Sequence, residues 1–482
     1  MGFNTVSGTF RLTGISLTGS GSGTQTYNGA LGIYGTSSQI RVDHCHIYNI
    51  NVRAFQTSGV VSGVFDHNII QGATGAGWAT FGGTGVADPF GDTDWAAASG
   101  LGGSNFVYFE SNEFLNGGND CFSGGRWVIR YNTFIQHQGT GFVQTHPTGG
   151  SGRDRGCRAW EVYGNSFSNP YQTAFNVFFV SSGTGVIWGN TTVSGQVTNF
   201  LTVHSMRRDN LTYAQSPTPT GWGFCGNTFW TGTVNTSGTA VTWASGTQFS
   251  VTSGGGGSSH ISATSSININ GTTYTVSNYN SATSLTLTTS AGTQTGVTYY
   301  VPISGWDQDS NTSTGYRCMD QPGQGVGQLL SGNFPNAVNT VTGKISWPNE
   351  ALEPVYEWMD TFSGTTFLLN YEPDALFANS DFYLWCNAAS ASGCTSFNGT
   401  VGVGSGTLAS RPSTCTTGVG YWATDQGSWN QSGSGGQGEL FVCTAPNTWG
   451  ATPYYTPYTY PHPLATNTPT AIPPTNPQGI PH

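Results

Sequence analysis

Charge is scarce in this chain. Charged residues fill only 7% of 482 positions, and Lys344 is the sole lysine against twelve arginines. The net charge of −10 and the scatter of those arginines leave no basic stripe, which argues against nucleic acid as a partner. No apolar run is long enough to span a membrane. Leu-rich helical periodicity is missing, so the chain reads as nearly all β. The nine cysteines contain no C-x-x-C pair, which excludes a zinc knuckle. G-x-S-x-G, P-loop and H-E-x-x-H motifs are also missing. No signal peptide stands at the start, so the numbered chain is expected to be a mature form behind a start Met.

Glycine is abundant, at 71 residues, and cysteines cluster late. Proximity alone predicts bridges Cys386–Cys394 and Cys415–Cys443. Cysteine usage and Ser/Thr-rich sequons together favour a secreted, extracellular protein.

One spacing recurs through the first half: apolar–x–apolar–x–x–Asn–x–apolar. Val107, Phe109, Asn112 and Phe114 fit it. So do Trp127, Ile129, Asn132, Phe134; Trp160, Val162, Asn165, Phe167; and Trp222, Phe224, Asn227, Phe229. Looser copies centre on Asn68 and Asn190. Cys45 and Ile15 hold the Asn slot in two more. Period-two alternation points two side chains inward, and a break of phase follows. Asn is expected at the bend because it tolerates left-handed dihedrals, and stacked Asn amides are expected to form a ladder inside. Slots at 15, 45, 68, 112, 132, 165, 190 and 227 have a minimum spacing near 20, the repeat of a solenoid.

These copies, in phrases such as "VFDHNII", "YFESNEF", "VIRYNTF", "EVYGNSF" and "GFCGNTF", resemble the right-handed parallel β-helix of the pectate-lyase-like superfamily. The resemblance covers residues 10 to about 230. It implies a fold, not an activity, since that superfamily holds lyases, hydrolases, tailspikes and adhesins.

The expected organisation follows. Residues 1–234 are rungs of the parallel β-helix. Residues 235–300 are a small inserted antiparallel β module, with a hairpin through Asn270-Gly271. Residues 301–465 are degenerate rungs and a C-terminal cap, whose "YYTPYTYPHPL" segment lies extended along the coil. Residues 466–482 are a Pro-rich tail. The first rung begins without a covering helix. That open end exposes strand edges, so another copy of the chain is a candidate partner there.

Two features carry candidate chemistry. Two places before the slot, the outward column reads Asp43, Asp66, Glu110, Arg130, Tyr163, Trp188, Cys225. His44 and His67 follow one place before the slot. Stacked carboxylates repel unless a cation compensates. Asp43, Asp66 and Glu110 are therefore candidate Ca²⁺ ligands, with Arg130 as the alternative counterion.

The second feature is three long segments, 71–104, 136–157 and 194–220, expected to leave the coil after the same strand and to wall a cleft. They concentrate the rare charges. His146, Asp154 and Arg155 are the candidate catalytic residues. Arg153, Arg158, Arg207, Arg208, His204, Trp78 and Trp95 are the candidate substrate-binding residues. Arginine forks grip carboxylates and Trp faces stack on sugars, so the expected partner is an acidic polysaccharide. Removing a proton next to a uronate needs that carboxylate neutralised and a base nearby, which favours a lyase over a hydrolase. "GGNDCFSGG" resembles faintly the Asp-Asp-Cys box of polygalacturonase-type hydrolases, with Asn119 in place of the first Asp; Asp120 alone does not supply the paired carboxylates that inversion needs. The rival expectation is a non-catalytic surface protein: an adhesin, a filament subunit or a tailspike-like stalk.

Overall fold

A computed structural model describes residues 2–5, 8–19, 30–50, 53–72, 77–82, 97–135, 142–146, 156–168, 176–192, 199–204, 232–246, 248–249, 266–300, 322–325, 337–338, 345–346, 351–362, 369–371, 376–387 and 392–466. These are nearly all β. Three parallel sheets of nine, nine and eight described strands are built in rotation, so that, leaving out the strands of other sheets, each strand pairs with the one laid three before it. The second sheet stacks Val107–Glu110 on Arg126–Arg130, then Ala159–Tyr163, then Thr184–Trp188, all parallel and in register. The next neighbour of Thr184–Trp188 is Val355–Trp358. The copy of the spacing at Trp222–Phe229 lies outside the described residues.

The Asn slots line the interior between the second and third sheets. Asn68 Nδ2 donates to Asn112 Oδ1 at 2.9 Å. Asn112, Asn132 and Asn165 each repeat this bond to the next Asn at 3.0 Å. The same oxygen also accepts the preceding Asn backbone N–H, at 2.9 Å for Asn132 Oδ1. The second amide hydrogen reaches back one turn, from Asn132 Nδ2 to Phe109 O at 3.0 Å. The ladder ends on Asp360, whose Oδ1 accepts Asn190 N at 2.7 Å and Asn190 Nδ2 at 2.9 Å. Beside each amide the apolar position after the slot forms a ring stack, with Phe114–Phe134 centroids 4.6 Å apart and Phe134–Phe167 4.8 Å.

Asn does not make the bend itself. The left-handed residue is the one before it: His44, His67, Ser111, Tyr131, Gly164, Gly189 and Met359 all have φ between 55° and 65°. Asn is required for its amide, not for its backbone freedom. Glycine fits at 164 for a second reason, since a Cβ there would come within 2.6 Å of the Tyr131 ring.

The three long segments are not single loops. Each contains a strand of the first sheet: Gly77–Gly82, Val143–Thr145 and Asn199–Val203. They therefore do not all leave after one strand, and the remaining excursions fall on both borders of the first sheet. These strands are short and lack the Asn signature, so periodicity does not reveal them.

Residues Gly232–Tyr300 include six strands closed into an antiparallel barrel. Its Asn270-Gly271 turn has φ of 51° and 82°, the paired left-handed geometry of a tight hairpin. A separate sheet, Val403–Gly406, Gly420–Ala423, Glu439–Ala445 and Thr448–Trp449, follows the last turn and is closed by Cys415–Cys443. Cys386–Cys394 is also bridged, and a third bond joins Cys121 to Cys157. No described helix is long and apolar enough to cross a membrane.

The chain then folds back. The aromatic segment 454–466 lies across the outward face of the second sheet, and its short helix Pro463–Thr466 reaches the early strands Ile40–Asp43 and Gly63–Asp66. Tyr458 and His462 pack on Tyr108, and Tyr460 packs on Tyr131. Outward positions of this sheet are thereby buried: Val64, Tyr108, Val128 and Tyr163 are all sealed from solvent.

Asn132 tests the ladder. Asn132→Leu would strand Asn112 N inside the core and remove one hydrogen bond each from Asn112 Nδ2, Phe109 O and Asn165 Oδ1, of which Asn112 Nδ2 keeps Phe65 O and Asn165 Oδ1 keeps the backbone N–H of residue 132. The orphan costs roughly 1–3 kcal/mol and each lost bond about 0.5–1.5 kcal/mol. Denaturant unfolding of the variant should show a loss of at least about 3 kcal/mol. An unchanged midpoint would remove the ladder as a source of stability.

Candidate functional site

The acidic column exists in the expected register, Asp43 beside Asp66 beside Glu110 beside Arg130. Its charge is met by guanidinium forks. Arg11 holds both oxygens of Asp43 at 2.8 Å, and Arg41 holds both of Asp66 at 2.8 and 2.9 Å. Arg130 holds Glu110 Oε2 at 2.6 and 2.9 Å. Burial alone would raise the Asp43 carboxyl, but Arg11, His44 and Thr13 outweigh it and hold it below the usual carboxylate range. Among the described residues, no three His, Cys, Asp or Glu side chains are grouped to hold a metal ion. The forks leave the three carboxylates facing arginines rather than one another.

These groups do a second job. Arg130 donates to Tyr458 O and Thr459 O at 2.7 and 2.9 Å. Glu110 Oε1 accepts His462 N at 2.9 Å, and Arg41 donates to Leu464 O at 3.0 Å. The column thus clamps the backbone of the returning segment. Glu161, on the neighbouring outward column, accepts Tyr455 O–H at 2.8 Å and Gly102 N at 2.7 Å. Burial pushes its carboxyl up to about 7.

The expected groove residues divide. Arg153, Asp154, Arg155, Arg207, Arg208 and Trp95 lie outside the described residues. Trp78 is on Gly77–Gly82, in register with Gly118. Arg158 does not line a groove. Its side chain is fully buried, paired with Glu353 at 2.5 Å and donating twice to Ala97 O. His146 and His204 each follow directly on a strand of the first sheet, two strands apart, and His204 rests against Phe179 with centroids 5.1 Å apart.

Around His146 the outward face of the first sheet brings chemistry together. Asp120 points outward from Gly117–Phe122, while Asn119 points into the core and Cys121 beside it is bridged to Cys157. Adjacent strand residues face opposite ways. A carboxylate at 119 would therefore not pair with Asp120, and the comparison with an Asp-Asp pair fails on geometry. Gln144 stands opposite Asp120 on the next strand. His146 Nε2 lies 3.5 Å from Asp120 Oδ1 and contacts Gln144 Nε2. Burial pushes the Asp120 carboxyl up, against the pull of His146 and Arg53. Arg53 sits over the Phe122 ring at 5.4 Å and bonds Gln56 at 2.7 Å. Asp120 is the one carboxylate on the described strands of the first sheet.

The disulfide braces this arrangement. Cys157 N donates to His146 O, and His146 N donates to Cys121 O at 2.8 Å. Both ends of the segment carrying Arg153 to Arg155 are thus tied to the turn that carries Asp120. Sequence reasoning found His146 but passed over Asp120 as a partner; the signal was the neighbouring Cys121, whose bridge to Cys157 is eleven residues past His146. A cavity of about 560 Å³ lies at the border toward the second sheet, lined by Val61, Ala97, Phe106 and Arg126 among others. It holds no carboxyl or imidazole, so it offers no acid–base chemistry. No family model, no curated protein and no solved structure matches this chain.

The Glu161 contact sets a pH dependence. The folded-state carboxyl sits near 7, against an ordinary 4.5, so folding is favoured by the bound proton and the advantage fades as pH rises from 4.5 through 7. Glu161→Gln removes that dependence. Relative to the variant, the wild type should lose up to about 2–3 kcal/mol of unfolding free energy between pH 5 and pH 8. Parallel pH profiles for the two proteins would refute the assignment.

Proposed function

We propose that the chain is a secreted right-handed parallel β-helix of the pectate-lyase-like kind that binds an acidic polysaccharide on the outer face of its first sheet and cleaves it by β-elimination. The observation that carries this reading is the approach of His146 to Asp120 on an outward row, with Arg53 close by. Stacked parallel strands repeat outward positions every ~4.8 Å, a spacing on which an extended polymer can lie.

In this reading His146 takes the proton next to the uronate carboxylate. The C–O bond to the leaving sugar breaks and an unsaturated sugar forms. Asp120 orients the imidazole and stabilises it once protonated. The substrate carboxylate is neutralised by arginine, with Arg53 on the described face and Arg153, Arg155, Arg207 and Arg208 in the flanking segments as candidates. Phe179 and His204 offer flat faces for sugar rings. Hydrolysis is the second choice. The raised Asp120 carboxyl suits a general acid, but a second carboxylate at the separation inversion needs is not among the described strands of that sheet.

The test is incubation with a panel of uronic-acid polymers, reading absorbance of unsaturated products. His146→Ala should keep polymer binding and lower turnover by about 10²–10⁴. Asp120→Asn should lower turnover by less. Full activity in both variants would overturn the assignment. Binding without products in the wild type would leave the non-catalytic surface protein as the reading.

A further inference from the structure

His44 and His67 occupy the same place on successive turns, at the corner between the second and third sheets. Both are forced into left-handed backbone, each with φ of 55°. That conformation is costly for a residue with a Cβ. Gly14 takes this corner one turn earlier, so the fold does not demand histidine there. The left-handed corner turns each ring back over the carboxylate that precedes it. His44 Nδ1 meets Asp43 Oδ2 at 2.8 Å, and His67 Nδ1 meets Asp66 Oδ2 at 2.9 Å. The two rings stack with centroids 5.2 Å apart and planes within 4°. Their side chains are 61% and 54% exposed.

The carboxylates are themselves fixed by the Arg11 and Arg41 forks. Each therefore acts as a fixed acceptor for the ring N–H. In a neutral ring that donates from Nδ1, the lone pair is on Nε2, across the ring from the carboxylate. Metal-ligating histidines are held in this way, by a carboxylate on the second nitrogen. Two such rings stand side by side with their edges in solvent.

We propose that His44 and His67 form a two-histidine site for one transition-metal ion of the Zn²⁺, Ni²⁺ or Cu²⁺ class, bound through both Nε2 atoms, with water completing the shell. Metal–nitrogen bonds of about 2.0–2.1 Å bring the two nitrogens within about 4 Å. Parallel rings 5.2 Å apart point their lone pairs side by side, so binding rotates both rings until the Nε2 lone pairs converge on the ion, a rearrangement open to side chains that are 61% and 54% exposed. Imidazole nitrogen selects these ions over Ca²⁺, which prefers oxygen. The oxygens here are already taken by arginine. The site is independent of the polysaccharide reading, since it lies at a different corner of the coil.

Calorimetry on the full chain tests it, with Zn²⁺ and Ni²⁺ as probes and Ca²⁺ as the contrast. The wild type should bind one Zn²⁺ that the His44→Ala/His67→Ala double variant does not, and each single variant should weaken it at least tenfold. Anomalous scattering from Zn²⁺-soaked wild-type crystals gives a readout that needs no variant: a peak between the two rings. Equal uptake by the wild type and the double variant, or a peak placed elsewhere, would overturn the proposal. Ca²⁺ binding as tight as Zn²⁺ binding would do so too.

Discussion

The interior amide ladder is the constraint on which the coil depends. A chain that turns a corner every few residues leaves backbone groups that no sheet satisfies. Here one side-chain type answers the problem at the turns from Asn68 to Asn190. From Asn112 on, each Asn oxygen takes two N–H groups from the turn before, and each Asn nitrogen closes a carbonyl and the next oxygen. Within the run each Asn relies on the acceptor of the next turn, while Cys45 N begins the ladder and Asp360 Oδ1 ends it. That mutual demand explains why the motif repeats so strictly while the loops between copies vary in length. It also explains the end of the run. Asp360 accepts from Asn190 as Asn would, and burial together with the neighbouring Glu357 carboxyl pushes its own carboxyl well up. A protonated acid at this point can donate where an ionised one would only repel, so the polar stack can stop inside the molecule without a buried charge.

The second constraint is the burial of the second sheet's outward face. Isolated buried ions are costly, and breaking a buried pair is more costly still. The column from Asp43 to Arg130 avoids both by giving each carboxylate its own arginine, Arg11, Arg41 or Arg130, and then turning its spare hydrogen-bonding capacity outward. Arg41, Glu110 and Arg130 bond the main chain of residues 458–464 rather than solvent. A sequence 328 to 423 residues downstream thereby becomes part of the wall of the early turns. The same carboxylates also position His44 and His67, so one set of charges fixes the returning segment on one side and orients two imidazoles on the other.

Much of this was legible in the sequence because it repeats. The inward pairs such as Phe109 and Ile129, the Asn slots, and the outward column all follow from a spacing that side-chain direction makes rigid. The extended course of the aromatic C-terminal segment was legible as far as His462, from its prolines; the short helix Pro463–Thr466 that ends it was not. The strands of the first sheet were not. Gly77–Gly82 and Val143–Thr145 carry no amide signature and little alternation, so they disappear into what looks like loop. The pairing of Thr184–Trp188 with Val355–Trp358 was hidden for another reason: Glu357 and Asp360 replace the apolar and Asn positions, and more than 160 residues separate the two strands. Arg158 misled because a charge near a loop suggests a ligand, whereas Glu353 and Ala97, distant in sequence, surround it. The partnership of Asp120 with His146 depends on the disulfide that draws Cys157 against Cys121, and proximity along the chain does not announce that bond.

The three outer faces then differ in what they can do. The second is consumed by the C-terminal segment, and its charges are spoken for by arginines and main chain. The third carries short polar side chains at Thr133, Ser166 and Thr191, with His46, Ile69 and Glu113 in the same row. Ile69 separates that imidazole from that carboxylate by two strand spacings, so the face solvates the coil without bringing acid and base together. Among the described residues, the first combines a largely buried carboxyl that no arginine fork holds with an imidazole 3.5 Å from it, a nearby guanidinium and flat rings at Phe122 and Phe179. Burial raises the Asp120 carboxyl, and the His146 imidazole stands 3.5 Å from it. A group poised in this way costs stability in a purely structural stalk. It is placed where the flanking segments hold most of the chain's remaining arginines, in a protein that otherwise uses charge sparingly, and that coincidence weighs toward chemistry on an anionic polymer.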